Sequence, residues 1–586
     1  MTHCSPPPRP RTERLLLLLV LTSTLWGCTT SAAQPQALSP TPTLTPTAPR
    51  PTATTTSTAT ATPTPAPTIS LGFLTPTAVV TTAQILAPTP TAPPVAWGLP
   101  EAVVPEPFGV NIHFIWPLPG ELDRLGALGV RWIRMDMSWS DVERERGRYD
   151  FAGYDQLVAG LTRQNLRALF ILDYGNDLYG GGPAVLTDEG RAAFARFATI
   201  AAARYRGRGI IWEIWNEPNI ERFWHAPPDP MAYARLVQAV VPAIRRVDPS
   251  AWIVGPAIAG FSPDYFVALA QTGMLHQLDA VTVHPYRAEP PESAQAEYLA
   301  LRTYLDRVSP HRHIPILSSE WGYTTHESGL TLDTQAAYLV RQWLFHLTLD
   351  VNLSIWYDWR NDGPDPADVE QNFGTVFNDF SPKPASRAAQ TLNRTLGGYR
   401  YQRRLPLPDP ADYVLLFQRD DAIALATWTT TATHTITLPV ACETVQAVSL
   451  TGATETLTVT GRQLALTLTE MPRYIHLCPG EATQRLGHWR PTQQTVAVDA
   501  TGAGRLLVAV ENPFGNVRQA ELELTLGEEM LGAALGTLSP GERALVSLPI
   551  QITDMPRTPQ PITLHFITPD LLPLQTAQLW LIPAAP

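Results

Sequence analysis

The feature that most constrains the fold is a regular alternation of β-prone runs and helical segments between residues 107 and 360. Apolar residues recur at i, i+3 and i+4 spacing in the intervening stretches Arg191–Tyr205, Met231–Arg246 and Thr334–Leu349. Eight such units fit a (β/α)₈ TIM barrel of ~250 residues, whereas a doubly wound sheet rarely needs eight. The predicted strands are Phe108–His113, Trp132–Asp136, Ala168–Tyr174, Ile211–Asn216, Trp252–Gly255, Ala280–His284, Ile314–Ser319 and Leu353–Tyr357.

In such a barrel the chemistry sits at the C-terminal ends of the strands. Two glutamates lie there, Glu217 after strand four and Glu320 at the end of strand seven. Hydrolysis of a glycosidic bond through a covalent intermediate needs such a pair. One carboxyl protonates the leaving oxygen, and the other, ~5–5.5 Å away, attacks the anomeric carbon. The other polar and aromatic residues at strand ends are His113, Arg134, Asp136, His284, Tyr286, Trp356 and Tyr357.

Two motifs carry a resemblance to a known group of enzymes. Trp212-Glu213-Ile214-Trp215-Asn216-Glu217-Pro218-Asn219 resembles the acid/base motif of the clan A glycoside hydrolases, and Ser319-Glu320-Trp321-Gly322 resembles their nucleophile motif. Within the clan the chain is most similar to glycoside hydrolase family 39, and there to bacterial endoglycosidases of exopolysaccharide synthesis and biofilm matrix. The closer likeness rests on Leu172-Asp173-Tyr174-Gly175-Asn176, Ser318-Ser319-Glu320-Trp321-Gly322 and Trp356-Tyr357-Asp358-Trp359, and extends to Asn372-Phe373-Gly374-Thr375 and Lys383-Pro384.

The resemblance implies roles for the residues around the glutamate pair. Glu217 would be the acid/base, with a pKa raised by burial or by the neighbouring carboxylate. Glu320 would be the nucleophile, kept ionised by hydrogen bonds and by Arg134. Asn216 matches the usual contact of the clan to the sugar 2-hydroxyl.

Further roles follow from the same resemblance. Tyr286 would donate a hydrogen bond to the nucleophile, with His284 orienting the same group of side chains. Trp356 would form a stacking floor under the sugar at the cleavage point. The remaining candidate subsite residues are His113, Tyr174, Asn176 and Trp359.

Each of these residues also has a purely structural interpretation. The Trp-Asn-Glu-Pro segment could start a helix, with the asparagine as cap and the proline just inside it. Arg134 could pair with a surface acid, His284 could be a hydrogen-bonded core histidine, and tryptophans near a barrel rim often only pack. We interpret Glu143 and Glu145, which belong to a run of charges, as part of a solvated face.

The N-terminus is typical of an export signal spanning residues 1–28. Arg9, Arg11 and Arg14 precede an apolar run that begins with Leu15–Leu21 and is too short for a membrane-spanning helix, which needs ~20 residues. Leu25-Trp26-Gly27-Cys28 then resembles a bacterial lipobox, although a tryptophan stands where a small residue is usual. We expect lipidation at Cys28; a cleaved signal peptide or an uncleaved anchor is the alternative. Either way the remainder is exported.

Residues 29–100 are mostly proline, threonine and alanine, with Arg50 as the one charge before position 97. Proline lacks the amide donor and fixes φ, so this stretch predicts a solvated, disordered tether rather than a helix or a sheet. At ~3.1 Å per residue in polyproline II, about seventy residues reach on the order of 200 Å.

The catalytic barrel is expected to end near residue 395, where the helical signal stops. Short alternating strands predict a β-sandwich over 396–480, and a second β-unit over 481–586 reads as an immunoglobulin-like accessory domain. Cys442 and Cys478 flank the first unit, and in an exported protein one disulfide between them can persist. No cysteine spacing suggests a metal site, and no cofactor is expected.

The charge composition limits the classes of partner that the chain can bind. The chain carries 42 basic and 53 acidic side chains, a net charge of −11, and so has no basic field for nucleic acid. Lys383 is its only lysine. We expect a monomeric retaining endoglycosidase that cuts a β-linked polysaccharide and meets the membrane only through its anchor. An exo-acting β-xylosidase-type hydrolase and a non-catalytic carbohydrate-binding surface protein are the alternatives.

Overall fold

The structure of the chain is a computed structural model. It describes residues 98–478 apart from positions 181, 183, 311, 406, 421 and 441, and residues 489–582 apart from 492–494, 500, 512–517, 527–528, 539–542, 554–559 and 569–570. The export signal, the lipidation site Cys28 and nearly all of the proline-rich tether lie outside the described residues.

Eight parallel strands close into a barrel in the order in which they follow along the chain, which confirms the predicted fold class. Polar residues end several of these strands, so the barrel brings them to one face. The strands are β1 Phe108–Asn111, β2 Trp132–Ser138, β3 Arg167–Asp173, β4 Ile211–Ile214, β5 Trp252–Ala259, β6 Ala280–His284, β7 Ile316–Trp321 and β8 Val351–Trp356. Their ends differ from the predicted ends by up to four residues, most at β5.

The helices surround the barrel. Helix α4 begins after the cap Thr187, whose hydroxyl accepts from the Gly190 amide. Helix α6 begins with Pro230 after the cap Asp229, whose carboxylate accepts from the amides of Met231 and Ala232. The helices are α1 Glu121–Ala127, α2 Trp139–Val142, α3 Ala152–Arg163, α4 Asp188–Arg204, α5 Glu221–Trp224, α6 Pro230–Val247, α7 Pro263–Gln271, α8 Gln295–Val308, α9 Leu332–Thr348 and α10 Pro384–Thr395.

Side-chain alternation along the strands produces two apolar layers. In β3, Leu169 and Ile171 pack inside the barrel, whereas Phe170 and Leu172 belong to the layer between strands and helices. The same period of two places Asp173 in line with the inward residues, at the C-terminal end of its strand. Polar groups that continue an inward row are thereby held over the apolar barrel interior.

Two β-units, in which most neighbouring strands pair antiparallel, follow the barrel. In the first, a six-stranded sheet faces a two-stranded one across a separate apolar core, and a disulfide joins Cys442 and Cys478. Its sheets are ordered β14-β13-β16-β11-β10-β9 and β12-β15. The strands are β9 Arg400–Arg404, β10 Asp412–Arg419, β11 Ala422–Thr429, β12 His434–Pro439, β13 Thr444–Val448, β14 Thr454–Thr458, β15 Gln463–Leu468 and β16 Arg473–Leu477.

The second β-unit has its own core, which includes Leu506, Leu522 and Leu564. A three-stranded sheet, β17-β19-β22, and a five-stranded sheet, β18-β24-β23-β20-β21, form this unit. Its strands are β17 Trp489–Pro491, β18 Thr495–Ala497, β19 Ala503–Glu511, β20 Arg518–Leu526, β21 Glu529–Leu538, β22 Arg543–Gln551, β23 Gln560–Thr568 and β24 Leu571–Ile582. Within the described part of the chain, no helix is both long and apolar enough to cross a bilayer.

A buried ion pair joins the barrel to the first β-unit. Arg341, in α9, donates to both oxygens of Glu292, through Nε at 2.8 Å and Nη2 at 2.6 Å. Trp428, in β11, donates from Nε1 to the same carboxylate at 2.7 Å. All three side chains are buried, so this contact ties the orientation of the β-unit to the helix that follows β7.

Candidate active site

A buried arginine organises the C-terminal face of the barrel. Arg134 lies in the inward row of β2, and its guanidinium is 1% exposed. Nε donates to Oε2 of Glu213 at 2.7 Å, Nη1 to Oε2 of Glu320 at 2.5 Å, and Nη2 to Oδ1 of Asn216 at 2.8 Å. Since a guanidinium only donates, it fixes the orientation of the Asn216 amide as well as that of both carboxylates.

The second oxygen of Glu320 has its own donor. The Tyr286 hydroxyl, which follows β6, lies 2.8 Å from Oε1 of Glu320 and donates to it. Loss of solvent around the phenol and the adjacent Glu320 carboxylate raise the pKa of Tyr286 well above its usual value, so the hydroxyl stays protonated. Glu320 therefore accepts one hydrogen bond on each oxygen.

Glu217 has the opposite environment. It is 6% exposed, and burial raises its pKa to about 7, against the attraction of Arg134 and Arg222. Its backbone lies in the left-handed region at φ 45°, a rare conformation for a non-glycine residue, and its amide donates to the Ala257 carbonyl. This turn after β4 places a buried carboxyl with a raised pKa beside the carboxyl of Glu320.

His284 connects the two glutamates. It is fully buried at the end of β6, and burial lowers its pKa to about 4, so the ring is neutral. Nε2 lies 3.3 Å from the donor Nη2 of Arg134 and 3.0 Å from Oγ of Ser319. We therefore assign the proton to Nδ1, which donates to Oε1 of Glu217 at 2.9 Å and leaves the other oxygen of Glu217 to carry its proton.

The separation of the two carboxyls is diagnostic of the stereochemistry. Oxygen atoms of Glu217 and Glu320, together with a ring nitrogen of His284, all lie within 4.8 Å of one another. Retaining glycosidases hold their carboxyl groups ~5–5.5 Å apart, whereas inverting enzymes leave ~6.5–9.5 Å for a water molecule. The geometry fits a nucleophile and an acid/base acting on the same bond.

Glu213 is a further residue of the site, which the sequence motifs alone do not identify as functional. It is fully buried, faces the barrel interior in β4, and holds Nε of Arg134. The signal was present, because Ile211 and Glu213 share one face at period two, and a charge inside a barrel needs a partner.

A second polar cluster lies at the ends of β1 and β8. Nδ1 of His113 is 3.0 Å from Oδ1 of Asp362 and 4.0 Å from Oδ2 of the buried Asp358. The hydrogen bond to Asp362 and the two negative charges raise the pKa of His113 to about 9, although partial burial acts in the opposite direction. The three residues offer ligand atoms within 4.8 Å of one another, and the ion pairs of a charged imidazole account for that arrangement.

The expectation that Trp356 forms the stacking floor is wrong. Trp356 is fully buried at the end of β8, and Trp359 is 2% exposed, so neither ring offers a face to a sugar. The neighbouring Tyr357 is only partly buried, and its ring lies 6.3 Å from Tyr286 and 5.3 Å from His113. The partly exposed ring is thus one residue further along the chain than predicted, because successive positions at a strand end face opposite sides.

The interpretation of Glu143 as solvated is also wrong, whereas Glu145 is exposed. Glu143 is fully buried and accepts from Nε1 of Trp139 at 2.6 Å, the Gly147 amide at 2.7 Å and the Tyr179 hydroxyl. It supports the loop after β2. A run of charged residues predicts solvent exposure, and that prediction fails here because the loop folds the Glu143 side chain inward.

Asn176 and Tyr174 lie on the loop after β3. The Asn176 amide is occupied structurally, since Nδ2 donates to the Glu143 carbonyl at 2.7 Å and Oδ1 accepts from the Leu178 amide at 3.0 Å. Tyr174 packs edge-on against Trp215, the residue that precedes Asn216. Tyr174 therefore lies next to the glutamate pair's surroundings, and Asn176 shapes the loop that carries it.

A groove extends from Tyr174 away from the glutamate pair. Its volume is about 630 Å³, large enough for several sugar units by the usual scale of ligand sites. Hydroxyl, amide and charged side chains line it together with apolar surface, which includes the rings of Tyr174 and His225. The lining residues are Ser138, Ser140, Glu143, Arg144, Tyr174, Gly175, Asn176, Asp177, Leu178 and His225.

Comparisons with known proteins agree with this geometry. Residues 120–363 match the model of the family described as Cellulase (glycosyl hydrolase family 5). A β-xylosidase of Geobacillus stearothermophilus is 26% identical over 252 residues, covering 38% of this chain and 47% of the relative. The chain thus spans about half the length of that curated relative.

Solved structures extend the likeness. A family 39 glycoside hydrolase from the gut symbiont Bacteroides cellulosilyticus WH2 is 25% identical, with a TM-score of 0.57 over 65% of this chain and 81% of that one. The GH39 enzyme from Xanthomonas axonopodis pv. citri is 17% identical with a TM-score of 0.50, over 66% and 96% respectively, and shares the fold.

Proposed function

We propose that this chain, whose barrel is of the clan A glycoside hydrolase type and most similar to family 39, hydrolyses β-linked O-glycosidic bonds with retention of configuration. The observation that carries the proposal is the glutamate pair within 4.8 Å, with one carboxyl buried and the other hydrogen-bonded on both oxygens. Such a pair supplies an acid and a nucleophile at the same pH.

In the first step Glu320 attacks the anomeric carbon, and the bond from that carbon to the leaving oxygen breaks. Glu217 transfers its proton to the leaving oxygen, so that a glycosyl ester on Glu320 and an alcohol result. Arg134 and Tyr286 release part of their hydrogen bonding to the nucleophile as its charge is consumed. Asn216, held by Arg134, is placed to contact the sugar 2-hydroxyl.

In the second step water replaces the leaving group. Glu217, now ionised, takes one proton from the water while the oxygen attacks the anomeric carbon, and the ester bond to Glu320 breaks. Glu217 regains its proton and Glu320 its charge, which restores the starting state. His284 stays neutral throughout and keeps Glu217 oriented.

We extend the proposal to internal cleavage of a polysaccharide. The groove of about 630 Å³ beside Tyr174 supports it, because an enzyme that removes one terminal sugar needs no extended groove. An exported enzyme, tethered at Cys28 through a lipid and a proline-rich spacer, would meet such polymers outside the cell.

Exo-acting β-xylosidase activity is the second candidate. The similarity to the Geobacillus stearothermophilus protein named β-xylosidase favours it. Product sizes from xylan, mannan and glucan separate the two: oligosaccharides of mixed length support internal cleavage, and release of monosaccharide alone supports the exo mode.

The deciding experiment replaces each glutamate separately, as Glu217→Gln and Glu320→Gln. Each variant should lose turnover on the polymer that the wild type cleaves. Glu221→Gln, an exposed glutamate four residues beyond Glu217, is the matched control and should retain it. If either active-site variant keeps near-wild-type activity, the assignment is wrong.

A further inference from the structure

The single lysine of the chain is buried beneath the catalytic face. Lys383 has no exposed surface and directly precedes helix α10. Burial lowers the pKa of its amine to about 8, opposed by the charge of Asp358. A buried ammonium is expensive unless it is paired and hydrogen-bonded, so its contacts are the place to look for a role.

Those contacts join two loops. Nζ donates to Oγ1 of Thr325, after β7, at 3.1 Å and to the carbonyl of Asn372, after β8, at 3.0 Å. The Thr325 amide and hydroxyl donate to the same Asn372 carbonyl, at 3.2 Å and 3.1 Å. One carbonyl thus collects three donors, with the ammonium as the only charged one.

The Asn372 side chain holds the rest of the β8 loop. Its Nδ2 donates to the carbonyls of Asp365 and Asp368, both at 2.7 Å, and its Oδ1 accepts from Asn361 at 3.1 Å. Fixing the Asn372 backbone through Lys383 therefore fixes the loop that crosses this side of the catalytic face.

The next residue along the chain reaches the catalytic group. The ring of Phe373 packs edge-on against Tyr357 at 5.2 Å and against Tyr286 at 6.2 Å. Tyr286 in turn donates to Glu320 at 2.8 Å. A continuous series of contacts runs from the ammonium to the nucleophile.

We propose that Lys383 is a positioning residue, whose ammonium fixes the β7 and β8 loops so that Phe373 holds Tyr286 in hydrogen-bonding geometry with the nucleophile Glu320. It touches no substrate. The inference rests on the proposed function for its effect on rate, whereas the coupling between Lys383 and Glu320 is a property of the folded chain and can be measured without activity.

The first test uses the fact that one lysine produces one lysine signal. In protein labelled with ¹³C and ¹⁵N at lysine only, the Lys383 side-chain resonance should shift in Glu320→Gln and in Tyr286→Phe. Glu221→Gln is the control and should leave the resonance in place. If neither active-site variant moves the resonance, Lys383 is uncoupled from the nucleophile and the proposal is overturned, whether or not the protein is a glycosidase.

The second test is kinetic. On an aryl β-glycoside that the wild type cleaves, Lys383→Met should lower kcat about tenfold or more, with a much smaller change in KM, because ground-state sugar contacts remain. Lys383→Arg keeps the charge and should recover part of the rate. Arg387→Met, at an exposed position one turn along α10, is the control. A kcat for Lys383→Met equal to that of this control overturns the proposal; if Lys383→Met does not fold, the resonance test decides alone.

Discussion

Nε of Arg134 lies 2.7 Å from Oε2 of Glu213, a carboxylate with no exposed surface. The contact leaves Nη1 and Nη2 to face Glu320 and Asn216, the residues proposed to act on the sugar. Glu213 thus acts through Arg134 and sets the angle at which the guanidinium presents its donors.

Glu213→Gln should lower kcat by about 10- to 100-fold, because the amide weakens the hold on Nε and lets the guanidinium turn. Removing one partner of a buried pair also costs about 3–5 kcal/mol of unfolding free energy. Kinetics on an aryl glycoside and urea unfolding measure the two effects. Glu221→Gln is the control and should keep wild-type values of kcat and of the unfolding free energy. If Glu213→Gln also keeps both wild-type values, the role of Glu213 is contradicted.

The pH profile should have a basic limb near 7. Glu217 must be protonated to act as acid, and burial raises its pKa to about 7, so kcat/KM falls as pH rises through that value. His284, with its pKa lowered to about 4, does not titrate in this window. The measurement is kcat/KM against pH for a poor leaving group.

A matched substrate checks that assignment. With a dinitrophenyl glycoside, whose leaving group needs no proton, Glu217→Gln should still form the glycosyl ester and should lose the basic limb. A basic limb that persists near 7 in this variant would assign the titration to another group.

Arg341→Met should destabilise the barrel and the first β-unit together. It leaves the buried Glu292 carboxylate without its cation and with Trp428 as its donor, at a cost of about 3–5 kcal/mol. Arg148→Met is the control, because the pair of Arg148 and Glu145 is solvent-exposed and is worth about 0–1 kcal/mol. Thermal unfolding compares the Tm of the two variants. Equal Tm values would show that the ion pair of Arg341 and Glu292 does not hold the barrel and the first β-unit together.

Loss of the disulfide between Cys442 and Cys478 should destabilise the first β-unit. The bridge closes 36 residues, which by chain entropy corresponds to about 3–4 kcal/mol. The double variant Cys442→Ser/Cys478→Ser should lower the Tm of this unit. Its activity on an aryl glycoside at 25 °C should be retained. An unchanged Tm would show that the bridge contributes nothing to stability.

The local sequence pattern alone predicts much of this architecture. The eight strand–helix units and the positions of Glu217 and Glu320 follow from periodicity and from their places at strand ends, because a parallel barrel brings those ends to one face. The pairing of Arg134 with Glu320 agrees with the expectation for a nucleophile. The exact strand ends depended on pairing partners far away in the chain.

What the sequence by itself determined is the barrel, its two glutamates and their expected chemistry. Only the tertiary structure decided that Glu143 is buried, that Tyr357 rather than Trp356 presents a ring, that Glu213 holds Arg134, and that the lone Lys383 is buried against the loops after β7 and β8. The physical reason is that periodicity reports which face a residue occupies within its own element. Burial and pairing depend instead on loops and side chains that arrive from elsewhere in the chain, and those contacts set the charge of each catalytic group.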